Sequence, residues 1–142
     1  MLRRIGGMIA GIVVWVVIVQ VGEFAVHQLY PLPAGYNMHN MDEVRRYVAT
    51  LPVPAMVIVL IGQLAGNFVG AFAASKIGRS AIPAYFIGAL LLIAGIASTF
   101  VIPQPLWFLV IELAGYIGAT IIGARLGAPR PALSQAPPPA SI

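Results

Sequence analysis

Residues 62–78 read GQLAGNFVGAFAASKIG, and the small side chains in that stretch recur at every fourth position: Gly62, Gly66, Gly70, Ala74 and Gly78. On a helix these residues share one face. Such a smooth stripe lets a second backbone come close, and in a bilayer close van der Waals contact is much of what drives helices together. Gln63 and Asn67, also four apart, stack beside the stripe. Residues 112–127, ELAGYIGATIIGARLG, align with 63–78 without a gap. Gln63 falls on Glu112, Gly66 on Gly115, Gly70 on Ala119, Ala74 on Gly123, Lys76 on Arg125 and Gly78 on Gly127. Upstream, Leu51-Pro52-Val53-Pro54 is echoed by Ile102-Pro103-Gln104-Pro105. The pattern predicts an all-α, integral membrane four-helix bundle made of two tandem helical hairpins, the two halves being parallel repeats about an axis along the membrane normal.

Composition points the same way. Of the 142 residues, 60% are hydrophobic and 8% charged, whereas a soluble domain carries charge on about a quarter of its residues. A surface with so few charges faces lipid. A membrane helix needs about 20 apolar residues, so four spans and their connections nearly exhaust the length. The net charge of +4 is no sign of nucleic-acid binding. Arg3, Arg4, Lys76, Arg79, Arg125 and Arg130 sit at the ends of apolar spans, as topology determinants do, and no basic stripe interleaved with aromatics exists. The absence of cysteine excludes disulfides, thiolate metal sites and cysteine nucleophiles.

The first span is expected over 5–29, behind Met1-Leu2-Arg3-Arg4. Small residues are not spaced for cleavage near Gln20–His27, so it is read as a retained helix rather than a signal peptide. Pro31, Pro33 and Gly35 then make a turn-rich loop. Asn40 with Glu43 resembles a capping box, which predicts a short helix over 41–50. Its apolar side (Met41, Val44, Val48, Leu51) suits the headgroup boundary. Further spans are expected over 53–75, 82–101 and 106–124, and the Pro-rich tail 128–142 lacks the apolar content to pack. With four spans, the basic pairs at 3/4, 76/79 and 125/130 share one side and only Arg45/Arg46 the other. Both termini are therefore expected to be cytoplasmic. Tyr30, Tyr47 and Trp107 would then populate the outer interface.

Glu112 is the most consequential residue. It lies thirteen positions before Arg125, or roughly 20 Å by helix rise, inside the hydrocarbon. A charge there normally faces the bundle interior or a water-filled cavity. Two roles compete: a proton or cation site, or a carboxylic acid bonded to Gln63 that pins one half to the other. Gln63 and Asn67 read as interhelical glue. Gln20, Glu23 and His27 share one face of the first span. Glu23 and His27 could hold a divalent metal with Glu112 as a third ligand, but no second histidine lies in a span, so an interfacial Glu–His pair is preferred and neither metal nor cofactor is expected. Trp15, near mid-bilayer, needs an acceptor for its indole N–H.

The stretch HQLYPLPAG (27–35), the short helix ending in Leu51-Pro52, the glycine ladder and Pro103-Gln104-Pro105-Leu106-Trp107 together resemble small four-span proteins of bacterial inner membranes that have no assigned activity. The resemblance covers most of residues 1–127 and implies fold and location but no site. The helix-packing residues Gly62, Gly66, Gly70, Ala74, Gly115, Ala119 and Gly123 are expected to offer faces to partner helices, in a homo-oligomer or a larger membrane complex. The leading expectation is a non-enzymatic accessory subunit in contact with lipid bilayer, other helices or pigment. Its rivals are a small channel or proton-linked transporter using Glu112 with Gln63, Asn67 and Glu23, and an enzyme acting on lipid or quinone through Glu23, His27 and Glu112.

Overall fold

A computed structural model describes residues 1–37 and 39–129, and in them the chain is all-α. Helix α1 spans Leu2–Leu29, α2 Met41–Thr50, α3 Val53–Gly78, α4 Ile82–Val101 and α5 Leu106–Gly127. All but α2 are long and apolar enough to cross a membrane. Their many glycines and β-branched residues are weak helix formers in water, but lipid offers the backbone no alternative partner, which holds such segments helical. The expected tail lies outside the described residues from position 130 onward.

Prolines punctuate the elements. Pro52 and Pro105 occupy the N-cap positions of α3 and α5, and Pro83 falls in the first turn of α4, where a missing N–H costs no helical hydrogen bond. Helix α3 stops at Arg79, which takes a left-handed conformation (φ 49°), and the Ser80 N–H returns to the Ser75 carbonyl at 3.2 Å. Asn40 caps α2 by accepting from the Asp42 N–H at 3.1 Å. The expected capping box is altered. The Glu43 carboxylate reaches past the Asn40 backbone to the Asn40 side-chain amide (3.1 Å) and the Asn37 N–H (2.7 Å), which ties the preceding loop to the helix.

The contacts of the glycines define the helix directions. A Cβ built on Gly7 would lie 2.5 Å from the Ala74 carbonyl oxygen, one on Gly11 2.7 Å from that of Gly70, and one on Gly22 3.5 Å from the Gly62 Cα. Helices α1 and α3 are therefore antiparallel, with backbones in direct contact. Against the opposite side of α3 lies α5, running parallel to it: Gly115 meets Leu64, Gly123 meets the Phe68 carbonyl, and Gly127 meets Phe72. Helix α4 closes the bundle, with Gly88 against Thr120, Gly95 against Tyr116, and Gly78 at the α3–α4 turn against Pro83.

The small stripe of α3 is thus covered by α1 of the same chain rather than left for a partner. The aligned positions also face unlike neighbours. Gly66 and Gly70 meet Trp15 and Gly11 of the preceding helix, while Gly115 and Gly123 meet α3 and not α4. The core follows from these approaches. Ala71, Ala84 and Ala124 form one cluster, and Ala74, Ile87, Leu91 and Tyr116 another, on which Trp15 and Leu64 pack. Ile9, Val13, Val17, Val21 and Phe24 on α1 and Phe86, Leu90, Ile93 and Phe100 on α4 remain exposed, as lipid-facing residues would.

Candidate functional site

Polar side chains gather on the seam between α3 and α5. Gln63, Asn67, Ala71 and Ser75 ascend α3 at intervals of four, opposite Glu112, Tyr116, Thr120 and Ala124 on α5. The Tyr116 hydroxyl lies 2.7 Å from Gln63 Oε1 and 3.2 Å from Glu112 Oε1, so it joins the amide to the acid. One turn along, the Asn67 side-chain N–H donates to the Tyr116 carbonyl (3.0 Å), while Asn67 Oδ1 accepts from the Thr120 hydroxyl (3.2 Å). Asn67 is 0% and Glu112 2% exposed. Glu112 Oε2, Ser75 Oγ and Trp15 Nε1 are buried without a hydrogen-bond partner. Ser98 and Thr99 return their hydroxyls to carbonyls of their own helix (Gly95 and Ile96, 2.7 Å each).

Away from the basic turns, the bundle opens into a cavity of about 350 Å³ roofed by α2. Glu23, Val26 and His27 line it from α1, Gln63 from α3, Val44, Tyr47, Val48 and Leu51 from α2, and Gln104 and Phe108 from the start of α5. The side of α2 assigned to the headgroup boundary therefore faces this cavity, Met41 excepted. Helix α2 is anchored at two points: Arg45 Nε donates to the Val101 carbonyl (2.6 Å) and the Tyr47 hydroxyl to the Tyr30 carbonyl (3.0 Å). Burial pushes the phenols of Tyr36 and Tyr47 above their usual range, helped by Glu43 for Tyr36 and by Tyr36 for Tyr47. Tyr47 thus keeps its proton near neutrality, as its donation to the Tyr30 carbonyl requires.

The anchors make a testable difference. A net gain of about 0.5–1.5 kcal/mol is typical for such a bond, and about 1.5–3 when a charged donor is involved. The double variant Arg45→Met, Tyr47→Phe is expected to speed amide exchange throughout α2, read by hydrogen–deuterium exchange in detergent, and to leave α3 and α5 protected. Unchanged protection of α2 would show that it is held by other means.

Of the expected site residues, Gln63 and Glu112 come together through Tyr116, with Asn67 directly below. Glu23 and His27 share the cavity with Gln63, while Gln20 is exposed and does not line it. Among the described residues no three His, Cys, Asp or Glu side chains gather closely enough for a metal ion, so Glu112 does not join Glu23 and His27. Tyr116 and Thr120 were not expected at the site, Tyr47 was expected only as an interfacial aromatic, and Gln104 only as part of the proline pair. A signal existed for the first two, which lie four and eight residues after Glu112 on one helical face. No family model, curated protein or solved structure matches the chain. The fold and seam define its class: a small multi-pass membrane protein of four long apolar helices.

Proposed function

We propose that the protein is a non-enzymatic structural or accessory subunit whose intramembrane polar groups hold its own bundle together and whose outer faces pack against other membrane helices, lipid or pigment. The burial of Glu112 carries this reading. A carboxyl that passes protons or ions must meet water at some stage, whereas this one is sealed between α3 and α5, bonded to Tyr116, and absent from the cavity wall. With the stripe of α3 covered by α1, the glycines of the spans left open to a partner are Gly6 and Gly118, where an added Cβ would meet nothing within 4 Å. A homo-oligomer or larger complex is proposed to form there.

Location and orientation belong to the same proposal. Arg3, Arg4, Lys76, Arg79 and Arg125 fall at one end of the bundle, since Gly78 packs on Arg3 and Arg4 and the α3–α4 turn and α5 terminus lie alongside. By the positive-inside tendency this end is cytoplasmic in a bacterial inner membrane. At the other end α2 exposes Asp42, Arg45 and Arg46, as a helix at the membrane surface would. The ungapped match of 63–78 to 112–127 supports a tandem duplication whose halves now pack differently.

A channel or proton-linked transporter is the second reading. Its support is that the cavity wall at Gln63 is one side chain, Tyr116, removed from Glu112. Liposomes holding a pH-sensitive dye separate the two. The accessory role predicts that protein-containing vesicles dissipate a pH gradient no faster than empty ones, and that Glu112→Gln folds normally, because its amide can still bond Tyr116. Proton flux that Glu112→Gln abolishes would overturn it in favour of transport.

A further inference from the structure

We propose that the cavity under α2 binds a small organic ammonium ion that carries an apolar group. Among the described residues, Glu23 is the one formal charge on its wall when His27 is neutral, and no lysine or arginine lines it. The nearby Arg45 is taken up by the Val101 carbonyl and, at 3.9 Å, by Asp42. Gln104 also lines the cavity, and its Oε1 is buried with no donor, so turning that amide toward a bound ammonium breaks no hydrogen bond of the oxygen. Tyr36 and Tyr47 add tilted rings with centroids 5.4 Å apart, and His27 lies 6.4 Å from Tyr47. Aromatic faces attract cations, more strongly once these are out of water.

The backbone does not reverse this preference. Helices α1 and α4 end at this side of the bundle while α3 and α5 begin there, so their dipoles oppose one another. An anion would need free N–H groups at the starts of α3 and α5. Pro52, Pro54 and Pro105 have none, and Val53, Leu106 and Trp107, which keep theirs, do not line the cavity. Gln63 apart, the rest of the wall, including Val26, Val44, Val48 and Phe108, is apolar and suits a hydrocarbon substituent. The site touches the Glu112 seam at Gln63 alone, its charge is on α1, and it holds whether or not the protein moves protons.

The test is isothermal titration calorimetry of benzyltrimethylammonium chloride into the full chain in a neutral detergent, beside sodium benzenesulfonate as an anion of similar size. The ammonium is expected to bind saturably at one site per chain and the sulfonate not at all. Glu23→Gln keeps the shape of an exposed side chain while removing its charge, and is expected to weaken binding about tenfold. Gln104→Leu, which removes the unpartnered acceptor, is expected to weaken it as well. The proposal is overturned if the ammonium shows no saturable binding, if the sulfonate binds equally well, or if both variants bind like the parent. Proton flux in the liposome assay bears on the function of Glu112 and leaves these outcomes unchanged.

Discussion

Gly70→Leu is expected to yield no folded protein in detergent, and Gly70→Ala a folded protein with a clearly lowered midpoint of thermal or SDS-induced unfolding. The reason is reciprocal contact. A Cβ on Gly70 would lie 2.8 Å from the Gly11 carbonyl oxygen and 3.2 Å from the Trp15 Cβ, while one on Gly11 would lie 2.7 Å from the Gly70 carbonyl oxygen. The atom in the way is backbone, so it cannot rotate aside, and α1 and α3 must part along the stripe. Overpacking of this kind costs about 1–3 kcal/mol for a single added group, and a leucine adds three more carbons. Interhelical hydrogen bonds in membranes average about 0.6 kcal/mol, so the seam cannot compensate for a stripe forced apart. Gly118→Ala is the control. With nothing of its own chain within 4 Å of its Cβ, the monomer in detergent should match the parent monomer or gain up to about 1 kcal/mol from helix propensity. Equal midpoints for Gly70→Ala and Gly118→Ala would show that α1 and α3 are not in backbone contact.

The same stripe shows what a sequence of this kind conceals. Its spacing declares that something approaches closely, because only small residues tolerate a neighbouring backbone, but spacing carries no address. The face reads alike whether α1 or another subunit covers it. Membrane helices themselves are plain from composition, since lipid penalises any unpaired backbone and leaves few folds available. The meeting of Gln63 and Glu112 was legible as a pairing by depth, whereas the group that mediates it was not. In the alignment Tyr116 falls on Asn67 and looks like a lost polar position, yet its ring packs in the core while its hydroxyl and carbonyl serve the seam. Helix α2 was legible as an amphipathic element, but amphipathicity cannot tell a bilayer surface from the mouth of a cavity. Both present an apolar boundary to the same side chains.

Tyr116→Phe is expected to produce the second large effect, although it removes a single oxygen. Phenylalanine keeps the ring that packs among Ala74, Ile87 and Leu91, so a loss of stability is not a packing loss. The missing hydroxyl deprives both Gln63 Oε1 and Glu112 Oε1 of their hydrogen-bond partner. Glu112 Oε2 already lacks a partner, so the acid would keep no hydrogen bond at all inside a nearly dry seam. Stranding a buried polar group costs about 1–3 kcal/mol, more when it is charged, which exceeds the value of an ordinary interhelical bond. The unfolding midpoint should therefore fall by more than in Thr120→Val, which breaks only the Asn67 contact at 3.2 Å. A double-mutant cycle isolates the connection. Once Tyr116 is Phe, Gln63→Leu removes one of the stranded oxygens and should cost less than in the parent, with a coupling of about 0.5–3 kcal/mol. Additive losses would mean that Gln63 and Tyr116 do not act together, and an unchanged midpoint for Tyr116→Phe would mean that water, rather than this hydroxyl, satisfies Glu112. That last result would also remove the support that the accessory role draws from a sealed acid, because a hydrated Glu112 is what a proton path requires.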